Sequence, residues 1–260
     1  MFNCSAFNNR LSTAWLGHHL HYFEELESTN TYAKQQEGGE LAHGSVILTD
    51  TQTKGRGQYQ RQWQTTPGQN LTFSLIFTPA KADRLPLLTL GCALAITELM
   101  DLAGDDSWAS IKWPNDVLVD NKKMAGILTE TQFSGDKLNK VIVGIGLNVN
   151  QRDFWDALSN KATSLFQLTQ KEQSREEILA ELLQRIEYYY RLWVKQDEGL
   201  PKAVNCRMLN YGEWVKLTVG GKELTGRFKF LGINAAGVLV ALDEHMDVQK
   251  FAYEQVRVNL

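Results

Sequence analysis

The segment Lys112-Trp113-Pro114-Asn115-Asp116 decides which fold and which kind of site this chain is expected to have. It places a lysine at the end of a short apolar stretch, directly before a proline-containing turn. Because the residue before a proline is restricted to extended backbone, Trp113 should continue a strand. Lys112 is then held on a stiff strand end, where its ammonium group can neutralise a carboxylate and a phosphate as they approach each other. An ordinary surface lysine beside a core tryptophan is the alternative.

A basic glycine loop lies upstream, with the sequence Gly55-Arg56-Gly57-Gln58-Tyr59-Gln60-Arg61-Gln62-Trp63. Glycines let a backbone approach a ligand closely, and the guanidinium groups of Arg56 and Arg61 suit phosphate or carboxylate oxygens. The loop is not a Rossmann fingerprint, because the third glycine and the following helix are missing, and it is not a Walker A loop, because no GK[ST] follows. Residues 52–69 are polar and aperiodic, which predicts a long exposed loop, functional or mobile. A plain exposed basic loop is the alternative.

A third segment, Gly144-Ile145-Gly146-Leu147-Asn148, ends an apolar strand. Its two glycines permit the close approach of a flat ring, and the amide of Asn148 can form paired hydrogen bonds with such a ring. Strand glycines that mark a β-bulge are the alternative.

Composition excludes several classes of protein. The 260 residues are 43% hydrophobic, enough for a substantial core, and 27 basic against 30 acidic residues give a net charge of −3. This balance argues against whole-surface binding to nucleic acid or to an anionic membrane. No apolar run approaches the roughly 20 residues that cross a bilayer. The N-terminus lacks a signal-peptide pattern, and three widely spaced cysteines fit a reducing compartment, so a cytoplasmic location is expected.

Hydrophobic periodicity predicts strands and helices in alternation. Capping residues Ser28-Thr29-Asn30 should begin one helix, Pro86 a second, and a capping box of Ser174 and Glu177 a third. Residues 1–20 show no clear period and are expected to form a loose or partly ordered lead-in. The predicted strands cover residues 20–23, 45–49, 71–77, 110–113, 117–119, 124–131 and 141–149, and the predicted helices cover residues 31–36, 87–102 and a segment from 174 onwards.

After about residue 207, short alternating segments separated by glycine turns predict a small β-barrel or sandwich. The expected architecture is therefore α+β, with a main domain over residues 1–206 and a small β domain over residues 207–260.

Five segments occur here in the order and spacing of biotin protein ligases. They are Ser28-Thr29-Asn30, Gln52 with Gly55-Arg56-Gly57 and Trp63, Lys112–Asp116, Lys123–Leu128, and Gly144–Asn148. The resemblance covers roughly residues 20–150, and the C-terminal β module is similar to the SH3-like domain of that family. It implies a mixed-sheet catalytic domain of the class II synthetase-like, biotin–lipoate ligase fold, followed by an SH3-like β-barrel.

The resemblance also implies a ligase that forms a C–N bond in two steps. The carboxylate of biotin attacks the α-phosphate of ATP, with Mg²⁺, and gives biotinyl-5′-AMP and pyrophosphate. A lysine of a biotin carboxyl carrier protein or domain then attacks the mixed anhydride. Such chemistry brings anions together and needs cations more than an enzymic nucleophile, which agrees with the lack of a nucleophile signature in the sequence.

Position by position, the resemblance implies site residues. The resemblance assigns catalysis to Lys112 and Arg56. The biotin contacts are Ser28, Thr29, Asn30, Gln52, Arg56, Gly57, Gln58, Lys112 and Gly126. The ATP contacts are Arg56, Arg61, Trp63, Asn115, Lys123 and Asn148, and Asp116 is an indirect metal ligand or a loop anchor.

Two departures from the family pattern concern the loop and the N-terminus. Gln58 stands where many relatives have a basic or small residue, and Gln60 stands where glycine is often found. Whether the loop becomes ordered and retains the adenylate tightly is therefore open. About twenty residues precede the similar region, too few for the helix-turn-helix of some bacterial members, so a monofunctional enzyme that binds neither DNA nor membrane is expected. A lipoate–protein ligase and a non-catalytic biotin- or nucleotide-binding module are the alternatives. The oligomeric state is open, and a homodimer formed through an exposed strand edge is one arrangement. The identity of the carrier and the role of the C-terminal domain are also open.

Overall fold

A seven-stranded mixed sheet forms the centre of the molecule, whose computed structural model describes residues 1–36, 40–58, 61–101, 109–155, 158–252 and 256–258. The strands are β1 (Leu20–Leu26), β2 (Val46–Gln52), β3 (Leu71–Phe77), β4 (Ala109–Lys112), β5 (Asp116–Val119), β6 (Lys122–Ser134) and β7 (Lys137–Leu147). Their order across the sheet is β1-β2-β3-β7-β6-β5-β4. Strands β1 and β2 are parallel, and the other neighbours are antiparallel.

Six helices flank the strands within the described residues. They are α1 (Cys4–Arg10), α2 (Thr29–Gln35), α3 (Leu85–Asp101), α4 (Leu165–Thr169), α5 (Arg175–Val194) and α6 (Gly199–Cys206). The predicted caps are confirmed for two of them, because the hydroxyl of Ser28 accepts from the backbone N–H of Thr31 and that of Ser174 from the backbone N–H of Glu177. In the described part of the chain, no helix has the length and apolar character needed to cross a membrane.

The alternation of side chains divides the sheet into two faces. On β7, Val143 and Ile145 point into the main core with α3 and α5, whereas Ile142 belongs to a small cluster beneath α2. Gly144 and Gly146 follow Ile142 on this second face. The second face is therefore apolar under α2. At Gly144 and Gly146 it carries no side chains, which leaves room for a site.

The C-terminal part forms two small antiparallel sheets, which agrees with the predicted SH3-like module. Its strands are β8 (Trp214–Val215), β9 (Leu217–Val219), β10 (Lys222–Glu223), β11 (Phe228–Ile233), β12 (Leu239–Leu242), β13 (Val248–Phe251) and β14 (Val256–Val258). One sheet has the order β10-β9-β14 and the other β13-β12-β11-β8. The α+β class predicted from the sequence is confirmed, while the division after residue 206 stays a prediction.

The N-terminal segment differs from the expected loose lead-in. Helix α1 occupies residues 4–10, and the side chain of Asn3 caps it by accepting from the backbone N–H of Ala6. Periodicity did not reveal so short a helix because it buries only Phe7 among its own residues. Helices α4 and α6 were likewise not predicted.

Glu187 of α5 ties the residues that follow α1 to the core. Its buried carboxylate accepts hydrogen bonds from the backbone N–H groups of Ala14, Trp15 and Leu16 at 3.1, 3.0 and 3.1 Å. Burial alone would raise the pKa of this carboxyl, but the three hydrogen bonds outweigh it and lower the pKa. Its charged form is therefore part of the folded structure.

We expect Glu187→Gln to lower the free energy of unfolding by about 1–3 kcal/mol at neutral pH, because an amide cannot satisfy three converging donors. Since the pKa of Glu187 is lowered on folding, its contribution is complete above the pKa of the unfolded chain and is lost as the pH falls through the folded value. Urea unfolding at several pH values should show the two proteins converging in acid.

The control is Glu181→Gln on the same helix, where the carboxylate is 43% exposed and pairs only with Arg185 in the ion pairs of the described residues. Its cost should stay below about 1 kcal/mol. Equal costs for the two substitutions would contradict the role of Glu187.

Candidate active site

A cavity of about 640 Å³ opens on the bare face of the sheet. Its floor lies where Gly126 of β6 is paired with Gly146 of β7, next to Gly144. The helix α2, the glycine loop and the turn between β4 and β5 contribute to its walls. The segment around Phe154 and Trp155 also lines it, which the sequence did not predict.

Every site residue predicted from the sequence lines this one cavity. The set comprises Ser28, Thr29, Asn30, Gln52, Arg56, Gly57, Gln58, Arg61, Trp63, Lys112, Asn115, Asp116, Lys123, Gly126 and Asn148. Gln60 lies outside the described residues. The structure thus brings the predicted positions together, whereas the role of each residue stays a prediction.

One end of the cavity is a network of neutral polar groups from four elements. The side-chain oxygen of Gln52 accepts from the backbone N–H of Thr29 at 2.8 Å. The hydroxyl of Ser74 lies 2.7 Å from that of Thr29 and 2.6 Å from the side-chain oxygen of Asn30. Asn30 in turn packs so closely on Gly144 that a Cβ there would lie 2.3 Å from its oxygen. These contacts fix donors and acceptors for a small polar ligand.

The glycine loop lies in the long exposed stretch predicted for residues 52–69, which joins β2 to β3, and in its described part Arg56 and Gln62 form an isolated bridge. The backbone N–H of Gly57 donates to the carbonyl of Arg61 at 2.7 Å, and that of Trp63 to the carbonyl of Gly55 at 3.1 Å. Gly55 is buried, and a Cβ on it would lie 2.1 Å from the carbonyl oxygen of Trp63. Close backbone contact therefore explains this glycine.

A ring of the chain itself, not that of a ligand, lies directly against Gly146, where the sequence predicted the close approach of a flat ring. The indole of Trp63 lies on Gly146, where a Cβ would be 2.1 Å from its Cε2 atom. The amino group of Lys123 stands 5.6 Å from the centroid of the same ring. The buried indole N–H finds no hydrogen-bond partner within the described ranges. Trp63 thus forms an aromatic surface beside a cation.

At the end of the cavity away from α2, the side chains of two asparagines bind backbone carbonyl groups. Asn115 donates to the carbonyl of Ile127 at 2.6 Å, and Asn148 donates to the carbonyl of Thr163 at 2.9 Å. Both side chains are buried. Their amide N–H groups fix the walls of the cavity, and the side-chain oxygen of Asn148 is not used in this bond.

Lys112 stands on a strand end whose neighbours are both fixed by the C-terminal part of the chain. Ile111 exchanges backbone hydrogen bonds with Arg207 and Leu209, at 2.7 and 2.9 Å. Trp113 is 2% exposed, and its indole N–H donates to the carbonyl of Gly237 at 3.4 Å. The Trp113–Pro114 peptide bond is cis. The expected stiff support of Lys112 is present, and it includes residues far away in the sequence.

Comparisons with known proteins agree with this geometry. The family model "Biotin/lipoate A/B protein ligase family" matches residues 22–148. The bifunctional ligase/repressor BirA of Bacillus subtilis (strain 168) is 35% identical over 236 residues, which span 88% of this chain and 71% of that protein. The biotin–[acetyl-CoA-carboxylase] ligase of Mycobacterium tuberculosis is 30% identical over 206 residues, 76% of this chain and 74% of that one.

The chain belongs to the biotin protein ligase family. The family expected from the sequence is thereby confirmed, and the chain is a ligase. Its fold also matches that of a biotin protein ligase from Aquifex aeolicus in complex with biotin and ATP, with a TM-score of 0.80 at 30% identity, over 93% of this chain and 100% of the other.

Glu130 of β6 is a charged residue near the cavity of this biotin protein ligase family member that was not predicted from the sequence. Its carboxylate binds Lys34 at 2.6 Å and Arg56 at 3.0 Å, and it accepts from Asn30 at 2.8 Å. Strand alternation could have revealed it, because Glu130 is four residues from Gly126 and therefore lies on the same face of β6.

The donors beside the cavity fit a magnesium ion held mainly by substrate phosphates. Mg²⁺ usually keeps several waters and takes one or two carboxylates together with phosphate oxygens. Asp116 offers one carboxylate, whose Oδ1 lies 2.7 Å from the amino group of Lys123. Over the described ranges, no group of three or more His, Cys, Asp or Glu could hold a metal by itself. The metal role of Asp116 stays a prediction.

We expect Gly146→Ala to displace the indole of Trp63, because the added Cβ overlaps the ring and β7 is paired on both sides. If the ring supports the adenine of ATP, the ATP concentration for half-maximal pyrophosphate release should rise on the order of tenfold, matching a lost stacking contact of about 1–3 kcal/mol.

The control is Gly91→Ala in α3, where a Cβ would stand 3.6 Å from that of Tyr189, an ordinary contact. This variant should keep the ATP dependence of the unchanged protein. Wild-type ATP dependence in both variants would contradict the role of Trp63.

Proposed function

We propose that the chain activates biotin with ATP and transfers the biotinyl group to a lysine of a biotin carboxyl carrier protein or domain. The observation that carries this proposal is a single cavity with a neutral polar end at α2 and lysines at the other end. The polar end suits a small uncharged ring system, and the lysines suit a carboxylate and phosphates. A site that merely bound biotin would not require cations in this number.

In the first step, an oxygen of the biotin carboxylate attacks the α-phosphorus of ATP. The bond from this phosphorus to the bridging oxygen breaks, and pyrophosphate leaves. Lys112 stands at the meeting point of the two anions and stabilises the charge that develops there. Its fixed neighbours Ile111 and Trp113 keep the ammonium group in place without reorganisation during the reaction.

The nucleotide is assigned to the end formed by Trp63 and Lys123. The indole provides a surface on which adenine can stack, and the side-chain oxygen of Asn148 can accept from the adenine amino group. Lys123 and Arg61 face the phosphates, and Asp116 keeps Lys123 in position through their ion pair. A magnesium ion carried by ATP would be held through Asp116 and would neutralise phosphate charge.

In the second step, the amine of the carrier lysine attacks the acyl carbon of the mixed anhydride. The bond between this carbon and the phosphate oxygen breaks, AMP leaves, and an amide forms. Water must be kept from the anhydride until the carrier arrives. The glycine loop, with Gln58 lining the cavity, is positioned to cover the ligand. The absence of DNA binding and a homodimeric state remain predictions.

A direct test mixes the protein with Mg-ATP and either biotin or lipoate, and follows pyrophosphate release and labelling of a carrier domain. We expect release and labelling with biotin only. Release with lipoate only would contradict the proposal in favour of lipoate ligation, and binding of biotin without release would favour a binding module.

In the same assay, Lys112→Ala should slow pyrophosphate release on the order of a hundredfold, which is the cost of removing one charge contact in a transition state. Lys122→Ala, at an exposed position of β6 outside the cavity lining, is the control and should retain the wild-type rate. A normal rate in Lys112→Ala would remove Lys112 from the chemistry.

A further inference from the structure

Glu130 places a carboxylate beside a cavity that is proposed to bind two anions, biotin and ATP. Glu130 lies at the margin of the cavity, with its side chain only 19% exposed. One of its oxygens, Oε2, accepts from Asn30 and from Nη2 of Arg56, and the other, Oε1, accepts from Lys34. A negative charge here repels the biotin carboxylate and the phosphates, so its presence needs an explanation in the binding machinery.

The carboxylate is charged at neutral pH. Burial works against the charged form, but the hydrogen bonds from Lys34 and Asn30 and the charges of Arg56 and Lys34 outweigh it and lower the pKa of Glu130. Arg56 therefore directs one end of its guanidinium group at a charged partner on β6. The guanidinium group of Arg56 is thus shared between this carboxylate and the space where phosphates would bind.

The contacts of Glu130 join three separate parts of the site. Lys34 and Asn30 belong to α2, Arg56 belongs to the glycine loop, and Glu130 itself is on β6. An isolated surface ion pair would contribute little, and Arg56 is 43% exposed. Here the same carboxylate oxygen also holds the buried Asn30, whose amide packs on Gly144, so the loop and the polar end of the cavity share one anchor.

We propose that Glu130 is a positioning residue that anchors the glycine loop to the biotin end of the cavity through Arg56. Arg56 then acts chiefly by holding the loop over biotin, and the phosphates are left to Lys112, Lys123 and Arg61. This inference rests on the proposed function and assigns Arg56 a different partner from the phosphates expected by family resemblance.

The alternative, direct phosphate binding by Arg56, makes opposite predictions. If Glu130 anchors Arg56, then Arg56→Gln removes an ion pair that Glu130→Gln also removes, together with the ion pair of Glu130 with Lys34. Each should raise the KM for biotin on the order of tenfold, the size of one lost charge-assisted hydrogen bond, with little change in the KM for ATP. The double variant should be no worse than Glu130→Gln alone.

If Arg56 binds phosphate directly, Glu130→Gln frees a cation and leaves the KM for ATP unchanged or lower, whereas Arg56→Gln raises it. The KM values of the double variant would then differ from those of Glu130→Gln alone. A loss of structure without any specific coupling would give additive effects on the KM for biotin. Either result overturns the positioning role.

The matched control is Lys54→Gln. Lys54 is 71% exposed at the start of the same loop and pairs with Glu27 at 2.6 Å, away from the cavity lining. Its kinetic constants should remain those of the unchanged protein. Thermal unfolding of each variant checks the fold, and Glu130→Asp, which retains the charge on a shorter side chain, replaces Glu130→Gln in the cycle if the latter does not fold.

The assay is steady-state pyrophosphate release at varied biotin and varied ATP, with the unchanged protein, the two single variants and the double variant. Increases in the KM for biotin in both single variants that are not additive in the double variant support the anchor. No release by the unchanged protein would overturn the proposed function and, with it, this inference. Release by the unchanged protein with additive losses, or with losses in the KM for ATP, would overturn the positioning role alone.

Discussion

The site depends on backbone that carries no side chains on one face of β6 and β7. Gly126 and Gly146 are paired across these strands, and Gly144 follows on the same face. Any side chain at Gly144 or Gly146 would enter space that Asn30 or Trp63 occupies. The other face of the same strands is packed with Val143, Ile145 and their neighbours, so the strands cannot withdraw to make room. The bare patch of the rigid sheet thus accommodates Asn30 and Trp63, which line the cavity above it.

Charged side chains around this floor are arranged in pairs that hold cations in place. Lys123 is paired with Asp116, and Arg56 is paired with Glu130. A cation fixed in advance, such as Lys123, needs little reorganisation when negative charge develops. In the positioning role proposed for Arg56, its ion pair holds the loop instead. Lys112 is fixed in another way, through hydrogen bonds made by the residues on either side of it. That arrangement gives the C-terminal sheets a physical connection to the reacting groups through Trp113 and Gly237.

Local sequence patterns were sufficient for the central sheet, and the family resemblance added many of the residues that line the cavity. Apolar runs of strand character located β3 and β7, and caps at Ser28 and Ser174 marked two helices. The motif residues converged on one cavity because they follow strand ends and turns at its rim. Helix α1 escaped detection because it is short, and its order depends on contacts with α5 that are distant in the sequence.

Contacts between distant segments account for what sequence patterns left out. The bond from Trp113 to Gly237 and the anchoring of Arg56 by Glu130 join residues that no local period connects. Glu130 carried one usable signal, its position on the glycine face of β6. The predicted long loop joins β2 to β3, but its polar composition did not indicate the close backbone contact of Gly55 with Trp63.

A crystal structure of the protein with biotinyl-5′-AMP or a non-hydrolysable analogue tests the central claim most directly. The account predicts the ligand on the floor formed by Gly126, Gly144 and Gly146, with its phosphate within hydrogen-bond distance of the amino group of Lys112 and its biotin rings at Thr29 and Asn30. A ligand bound away from this floor, or bound there with its phosphate out of reach of Lys112, would contradict it.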